Sequence, residues 1–215
     1  MSSELDLRVG WVGAQLATEF PELALIHTTV SAKAGRSPRA VKERLRVMSD
    51  RFTGPKAVQV RRQPVPWAYR VFFRQIGIDP DERRTPVEAV ALERMRAGAF
   101  KSQNLLDDAL LIATVETGVP VLAYDADRVE GDLGLRLALA GERVGRDGRD
   151  LHGGEIVVVD GSGPLAVLFG EMALDCGVRS GTQRMLLAAV RVKSVPDVCV
   201  EEALWIVAET LAEAD

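Results

Sequence analysis

The sequence predicts an α+β domain, because helical segments dominate its first half and short strands dominate its second half. Four helical segments fall between about residues 38 and 117, whereas Val119–Val192 is a series of short apolar runs separated by Gly and Asp turns. The chain has 215 residues, of which 47% are hydrophobic and 27% charged, as in globular proteins. We therefore expect one domain over residues 1–215 with a sizeable core.

The N-terminal quarter predicts a strand, a helix, a strand and a second, basic helix. Leu7–Val12 is short and apolar, Gln15–Phe20 has helical spacing and stops before a proline, and Leu23–Val30 is rich in β-branched residues. Ser37 followed by Pro38 then predicts the N-cap and first residue of a helix that runs to about residue 50.

Three more helices follow in the middle of the chain. The segment 66–73 has aromatic residues at helical spacing, so Trp67, Phe72 and Phe73 are expected on a buried face. Thr85 begins the next helix with a capping box completed by Glu88, and that helix ends near residue 98. A further apolar helix spans about residues 103–117 and closes at a glycine.

The C-terminal half predicts strands and one final helix. Paired glycines at positions 145 and 148 and at 153 and 154 indicate hairpin turns, and Val200–Ala212 is an amphipathic helix. The strand-like runs are Val119–Tyr124, Leu133–Leu139, Glu155–Val159, Leu165–Phe169 and Arg184–Val192.

Charge is distributed unevenly along the chain. The net charge is −4, which excludes a uniformly basic nucleic-acid binder. Residues 1–80, however, carry 13 basic and 7 acidic side chains, a balance of +6, and the remainder has a balance of −10. This asymmetry is compatible with a basic face that attracts phosphates and equally with a set of solvated helix faces.

The common catalytic motifs are absent from this sequence. It has no dinucleotide-binding glycine motif, no Walker A loop, no HExxH pair and no GxSxG elbow. His27, within an apolar strand, is expected to be a core histidine, and His152 to be exposed in a glycine-rich loop. Cys176 and Cys199 are expected to be reduced thiols, and with no signal peptide or membrane span visible we expect a cytoplasmic protein. Neither a cofactor nor a metal is expected.

Carboxylates at a strand end are the remaining candidates for chemistry. Asp125 and Asp127 follow an apolar run, where they could bind a metal or act as acid and base. An Asx turn that caps the next segment explains the same spacing and is favoured. Glu142 and Glu155, each near a glycine, carry the same ambiguity.

A series of ordered motifs resembles one known family. Residues 118–131, GVPVLAYDADRVEG, resemble the G-x-P-x-H-A-F-D-x-D-x-I-x-G segment of the B3/B4 domain in the beta subunit of bacterial phenylalanyl-tRNA synthetase. Asn104 and Asp108 fit the N-x-x-x-D that precedes it, and the likeness covers about residues 60–195. Further matching segments are Trp67–Arg70, Leu135–Glu142, Ile156–Asp160 and Gly181–Leu187.

The resemblance implies a layered α+β fold with helices packed on a β-sandwich-like core. In the synthetase, this domain hydrolyses the ester that joins a wrongly attached tyrosine to tRNA. The resemblance also implies a pocket between the helix end Asn104–Asp108, the strand Pro120–Asp125 and the segment Gly170–Thr182. Its expected lining is Asn104, Asp108, Pro120, Leu122 and Thr182.

Several pocket positions depart from the family. The family's histidine position holds Leu122, and its threonine and asparagine positions hold Leu110 and Leu111. Glu171 is the match to the family's glutamate, and either Glu171 or Asp125 is the candidate to hold a catalytic water. Losing three polar positions argues against specificity for tyrosine, because polar contacts to the phenol hydroxyl distinguish tyrosine from phenylalanine.

Two functional hypotheses follow with equal weight, and a third is a protein-interaction module. The first is a free-standing hydrolase that removes a misattached amino acid from tRNA, and the second is a non-catalytic tRNA or small-ligand binding module with a more apolar pocket. Neither DNA nor a membrane is an expected partner, and the oligomeric state is left open. The candidate RNA contacts are Arg36, Arg39, Lys42, Arg44, Arg46, Arg61 and Arg62.

Overall fold

Helices and two separate four-stranded sheets make up the part of the chain that the computed structural model describes, residues 5–146 and 148–213. This confirms the α+β class. The helices are α1 (Ala14–Glu19), α2 (Arg39–Arg51), α3 (Gly54–Gln59), α4 (Pro64–Gln75), α5 (Pro86–Ala97), α6 (Leu105–Thr117) and α7 (Asp197–Ala212). The strands are β1 (Arg8–Val9), β2 (Trp11–Val12), β3 (Ala24–Ser31), β4 (Val121–Asp125), β5 (Gly134–Leu137), β6 (Ile156–Val159), β7 (Pro164–Val167) and β8 (Arg184–Arg191).

The first sheet is antiparallel throughout and has the order β1-β3-β8-β4. Its two longest strands, β3 and β8, pair along their full lengths from Ala24↔Arg191 to Ser31↔Arg184. Met185–Val190 is buried at every position, which explains why β8 alternates imperfectly in sequence: a central strand covered on both faces is apolar on both.

The second sheet has the order β2-β5-β6-β7, in which only the β2–β5 pair is parallel. The chain passes into it from the first sheet at Gly10, whose N–H donates to Leu25 O at 2.8 Å while the next N–H donates to Leu133 O at 3.1 Å. A Cβ at position 10 would lie 2.7 Å from Leu133 O, so the crossing requires glycine. The single strand predicted over 7–12 is therefore two short strands, one in each sheet.

Helices α6 and α7 pack against each other, and α7 also lies on β3 and β8. The predicted apolar face of α7 is confirmed, since Leu204 and Val207 are fully buried. In α6, Ile112 and Ala113 are fully buried, whereas Leu106 and Leu110 of the expected apolar side are only partly buried. These two helices contribute to the core under the first sheet. After α6 the chain turns at Gly118 and enters β4.

Local capping signals are confirmed at α5 and α6 and wrong at α2. Thr85 and Glu88 form the predicted capping box, and Gly98 and Gly118 end their helices with φ of 79° and 77°. Ser37 makes no cap, because its buried hydroxyl donates to a carboxylate in α6 instead, and α2 begins one residue later than predicted. A charged acceptor inside the protein is a stronger partner than an exposed helix end.

Sequence patterns gave no signal for α3 or for the 3₁₀ turn Val60–Arg62 that follows it. None of the residues of α3 is buried, so the helix lacks the apolar stripe on which such predictions depend. Helix α3 and the 3₁₀ turn together place a run of exposed basic residues between α2 and α4.

Within residues 5–146 and 148–213, no helix combines the length and apolar character needed to cross a membrane. Both cysteines are unpaired thiols, as predicted.

Candidate functional site

Asp125 is the last residue of β4, and its buried carboxylate accepts hydrogen bonds from neighbouring groups of the protein. Thr182 Oγ1 donates to Oδ2 at 2.6 Å, and the N–H of Asp127 donates to Oδ1 at 3.1 Å. Arg128 Nε lies 3.5 Å from Oδ2. The favoured Asx turn is confirmed, since the side chain caps the 3₁₀ turn Ala126–Arg128. The hydrogen bond to Thr182 joins two chain segments 57 residues apart, and both oxygens of the Asp125 carboxylate accept a hydrogen bond.

Asp108 forms a second buried network, at the start of α6. Its carboxylate accepts from Ser37 Oγ at 2.5 Å, from Ser102 Oγ at 2.6 Å and from the N–H of Gln103 at 2.9 Å. Asn104 is the N-cap of α6 and accepts from the N–H of Asp107 at 2.9 Å. Both polar residues of the N-x-x-x-D motif thus fix the helix start and the loops around it.

A mainly apolar cavity of about 540 Å³ lies beside this network, between α5 and α6. Leu110 and Leu111 are part of its wall, together with Val90 and Phe100, and Asp108 lies at one end. The positions where the family resemblance places a threonine and an asparagine therefore form an apolar wall. These two leucines can contact an apolar group, and the polar side chains of the cavity, among them Glu93, Ser102 and Asp107, come from other parts of its lining.

Leu122 and Pro120 lie elsewhere, on the first sheet. Leu122 is half-buried and pairs in register with Ala188 of β8, and Pro120 directly precedes β4. The structure joins Asp125 to Thr182 by a hydrogen bond, whereas Leu122 lies three residues before Asp125 on the same extended strand and Pro120 lies before the strand begins. Asn104 and Asp108, at the start of α6, share none of the hydrogen bonds given for Asp125 and Thr182.

Glu171 belongs to a third group, beside β7 of the second sheet. Its side chain is 46% exposed, and Arg149 Nε lies 3.6 Å from its carboxylate. Arg149 also pairs with Glu155, and this contact lowers the pKa of Glu155 below its usual value. None of the hydrogen bonds or ion pairs of the described residues joins Glu171 to the Asp125 network.

The other carboxylates considered from sequence also form ion pairs. Glu142 bonds Arg136 through both oxygens, at 2.7 and 2.8 Å, and that bond lowers the pKa of Glu142. In the described ranges, no group of three or more His, Cys, Asp or Glu side chains is arranged to hold a metal ion.

Of the two predictions about how far the histidines are buried, one is wrong. His152 is exposed as expected, but His27 is half-buried and lines a surface cavity, so it is not a core histidine. Burial, and then the charge of Arg8, lowers the pKa of His27.

The candidate RNA contacts divide into two classes. Arg44 donates to Glu116 from Nε and Nη2, at 3.2 and 2.8 Å, and Arg46 pairs with Glu43 and Asp50. The other members are exposed and form no ion pair with any described carboxylate: Arg36, Arg39, Lys42, Arg61 and Arg62.

Trp67, which follows Arg61 and Arg62 in the sequence, has an exposed aromatic ring. Phe72 and Phe73 are buried as predicted, but Trp67 is 48% exposed, so that prediction is wrong. Trp67 lies on the outer face of α4, where the Arg74 guanidinium is 5.9 Å from its ring centroid. Helical spacing places Trp67 on a different face of α4 from Phe72 and Phe73, but the sequence alone did not show which face the core would cover.

Arg61 and Arg74 also converge on one carboxylate. Their charges help to lower the pKa of Asp81, after the larger effect of its hydrogen bond from Arg70. Arg74 thus lies both 5.9 Å from the Trp67 ring centroid and 3.7 Å from the Asp81 carboxylate.

Comparison with known proteins decides the family. The model of the B3/4 domain matches residues 68–195, more than half of the chain. The chain belongs to the B3/4 domain family. Curated relatives of this B3/4 chain include the phenylalanine–tRNA ligase beta subunits of Xanthomonas oryzae pv. oryzae (strain MAFF 311018), 32% identical over 114 residues, and of Tropheryma whipplei (strain Twist), 30% identical over 139 residues.

These matches cover 52% and 63% of the B3/4 chain but only 14% of each ligase subunit. The beta subunit of Streptomyces avermitilis is 33% identical over 94 residues, 42% of the chain and 11% of the subunit. The B3/4 chain is thus similar to one part of a tRNA-synthetase subunit.

Proposed function

We propose that this B3/4 chain binds tRNA through a basic surface made of residues 33–62 and the outer face of α4. The observation that carries this proposal is the exposed ring of Trp67, which follows Arg61 and Arg62 and lies against Arg74. Similarity to tRNA ligase subunits supports RNA as the ligand, although each match spans a small part of the relative.

Charge and stacking explain how this surface would hold RNA. Residues 33–62 contain ten Lys and Arg but only two Asp and Glu, so the segment is strongly positive in an acidic protein. Exposed arginines neutralise phosphates and release counterions, which makes binding sensitive to salt. RNA bases outside a duplex stack on aromatic rings, and each such contact contributes about 1–3 kcal/mol.

The contacts of the carboxylates singled out from sequence favour binding over ester hydrolysis. Asp125 and Asp108 accept hydrogen bonds from the protein itself, and the cavity wall at Leu110 and Leu111 is apolar. Glu171 lies on the surface with Arg149. In this proposal Asp108 and Asp125 stabilise the fold through these hydrogen bonds, and the chain binds tRNA without hydrolysing its ester.

Two assays on the purified chain test this function. We expect labelled tRNA to bind, with affinity lowered by Arg61→Ala/Arg62→Ala and by Trp67→Ala. The matched control Arg44→Ala/Arg46→Ala removes the same charge from ion-paired positions and should have a smaller effect.

The second assay incubates the wild-type chain with correctly and incorrectly charged tRNAs. We expect no loss of the aminoacyl group. Turnover abolished by Asp125→Ala or Glu171→Ala would replace the binding proposal with the hydrolase hypothesis, and absence of any tRNA binding would overturn both.

A further inference from the structure

A polar cavity of about 480 Å³ lies on the first sheet, lined by His27 and Thr29 of β3. It lies between the β1 edge of the first sheet and the segment 126–133. We call it the Trp11 groove, after the residue that forms one wall. The side chains that matter to its chemistry are Arg8, Trp11, His27, Thr29, Asp132 and Arg184.

Trp11 is held as a flat, open aromatic surface. Its ring is 44% exposed and lies directly on the backbone of Gly134, where a Cβ would stand 2.2 Å from a ring atom. Indole Nε1 points to Asp132 O at 3.4 Å. Because glycine lets one face of the ring rest on the backbone, the other face remains available to a ligand. A large exposed aromatic ring fixed in this way is typical of a stacking site.

Cationic side chains stand on two walls of the groove. Arg8 pairs with Asp6 at 2.8 Å and Arg184 pairs with Asp127 at 3.0 Å, and all four side chains are more than half exposed. Surface pairs of this kind contribute about 0–1 kcal/mol, so either guanidinium can exchange its carboxylate for a phosphate at little cost.

Hydrogen-bonding groups line the floor between those walls. His27 is half-buried, and Thr29, two residues further along β3, points from the same face of the strand and is exposed. The lowered pKa of His27 keeps its ring neutral at pH 7, so it can both donate and accept. The carboxylate of Asp132 also faces the groove and can accept from a sugar hydroxyl.

We propose that the Trp11 groove binds a nucleotide, with the base stacked on Trp11 and the phosphate bound by Arg8 or Arg184. An aromatic ring, vicinal hydroxyls and an anionic group are the three features that this set of side chains complements. The nucleotide is either free or the terminal residue of an RNA. The proposal goes beyond tRNA binding at residues 33–62 and stands without it if free nucleotide binds.

The test titrates the full chain with adenosine 5′-monophosphate, adenosine and inorganic phosphate by calorimetry. We expect the monophosphate to bind most tightly. Trp11→Ala should weaken it about fivefold or more, the effect of losing one stacking contact. Arg184→Ala should weaken the monophosphate but not adenosine, and Trp11→Phe, which keeps a flat ring, should retain most of the affinity. Thermal melts check that each variant is folded.

A second arm distinguishes the two sources of the nucleotide and separates this proposal from the first. Binding of tRNA that depends on Trp11 and on the 3′-terminal nucleotide, without binding of free monophosphate, assigns the groove to an RNA end. Trp67→Ala should leave affinity for the monophosphate unchanged even where it weakens tRNA binding. If Trp11→Ala changes neither monophosphate nor tRNA affinity, the groove is not a nucleotide site.

Discussion

The basic segment at residues 33–62 and the buried carboxylates Asp108 and Asp125 contain most of the polar residues that the sequence singles out, yet the structure uses them differently. Each carboxylate accepts at least two hydrogen bonds from the protein itself. Five of the seven candidate RNA contacts instead extend into solvent without a described carboxylate partner. A polar group that is already satisfied holds the fold together, whereas one that is exposed and unpaired is available to a ligand.

The largest effect should come from removing a buried carboxylate. Asp108→Ala leaves Ser37, Ser102 and the N–H of Gln103 without their acceptor, and Asp125→Ala does the same to Thr182. We expect each substitution to lower the free energy of unfolding by about 3 kcal/mol, measured by urea denaturation. Asp150→Ala, which removes an exposed surface pair, is the control and should change it little. A fully stable Asp125→Ala protein would contradict the structural role.

Reversing charge on the basic segment should have the next largest effect. Arg61→Glu/Arg62→Glu replaces two exposed cations that precede Trp67 in the sequence with anions, so we expect tRNA affinity to fall at least about tenfold at low salt. Fluorescence anisotropy with labelled tRNA measures this. The reversal Arg143→Glu/Arg149→Glu, in the strand-rich half, is matched in charge and should have a weaker effect. Equal losses from the two variants would mean that binding follows net charge alone and has no defined surface.

Removing the exposed ring should have a smaller effect on the same binding. Trp67→Ala deletes one stacking surface but no charge, and we expect a loss of about 1–3 kcal/mol in binding free energy. The salt dependence should stay that of the wild type because no phosphate contact is removed. Buried Phe72 offers the contrast, since Phe72→Ala should lower stability and change RNA binding only through unfolding.

The smallest expected effect is on stability at acid pH and comes from the partly buried ion pair between Arg136 and Glu142. Arg136 lowers the pKa of Glu142 in the folded state below its unfolded value. The unfolded chain therefore takes up the proton first, so the pair's stabilisation is present above the unfolded pKa of about 4.5 and is lost as pH falls through the folded value. Glu142→Gln should flatten the stability profile in that acid range. An unchanged profile would show that the pair contributes nothing.

Sequence reasoning succeeded where the signal was local. Thr85 with Glu88 encodes a capping box within four residues, and Gly118 needs only its own left-handed conformation to end α6. The order of helices and strands likewise follows from short-range periodicity. This is why the α+β class could be predicted and the exposed helix α3, without an apolar stripe, could not.

The candidate site depended on contacts that no local pattern encodes. Ser37 resembles an N-cap, but its partner is Asp108, 71 residues away. Trp67 occupies an aromatic helix whose buried side is decided by packing of the rest of the chain. Asp125 was correctly interpreted as a turn, but its link to Thr182 became visible only in three dimensions.

The most direct test of the central claim is the salt dependence of tRNA binding by wild type and by Arg61→Ala/Arg62→Ala. Each phosphate contact contributes about 0.7 to 0.9 to the slope of log affinity against log salt, so loss of both arginines should reduce the slope by about 1.5. That result would locate phosphate contacts at the exposed basic segment. Identical slopes for the two proteins would contradict the account, because RNA would then be bound elsewhere.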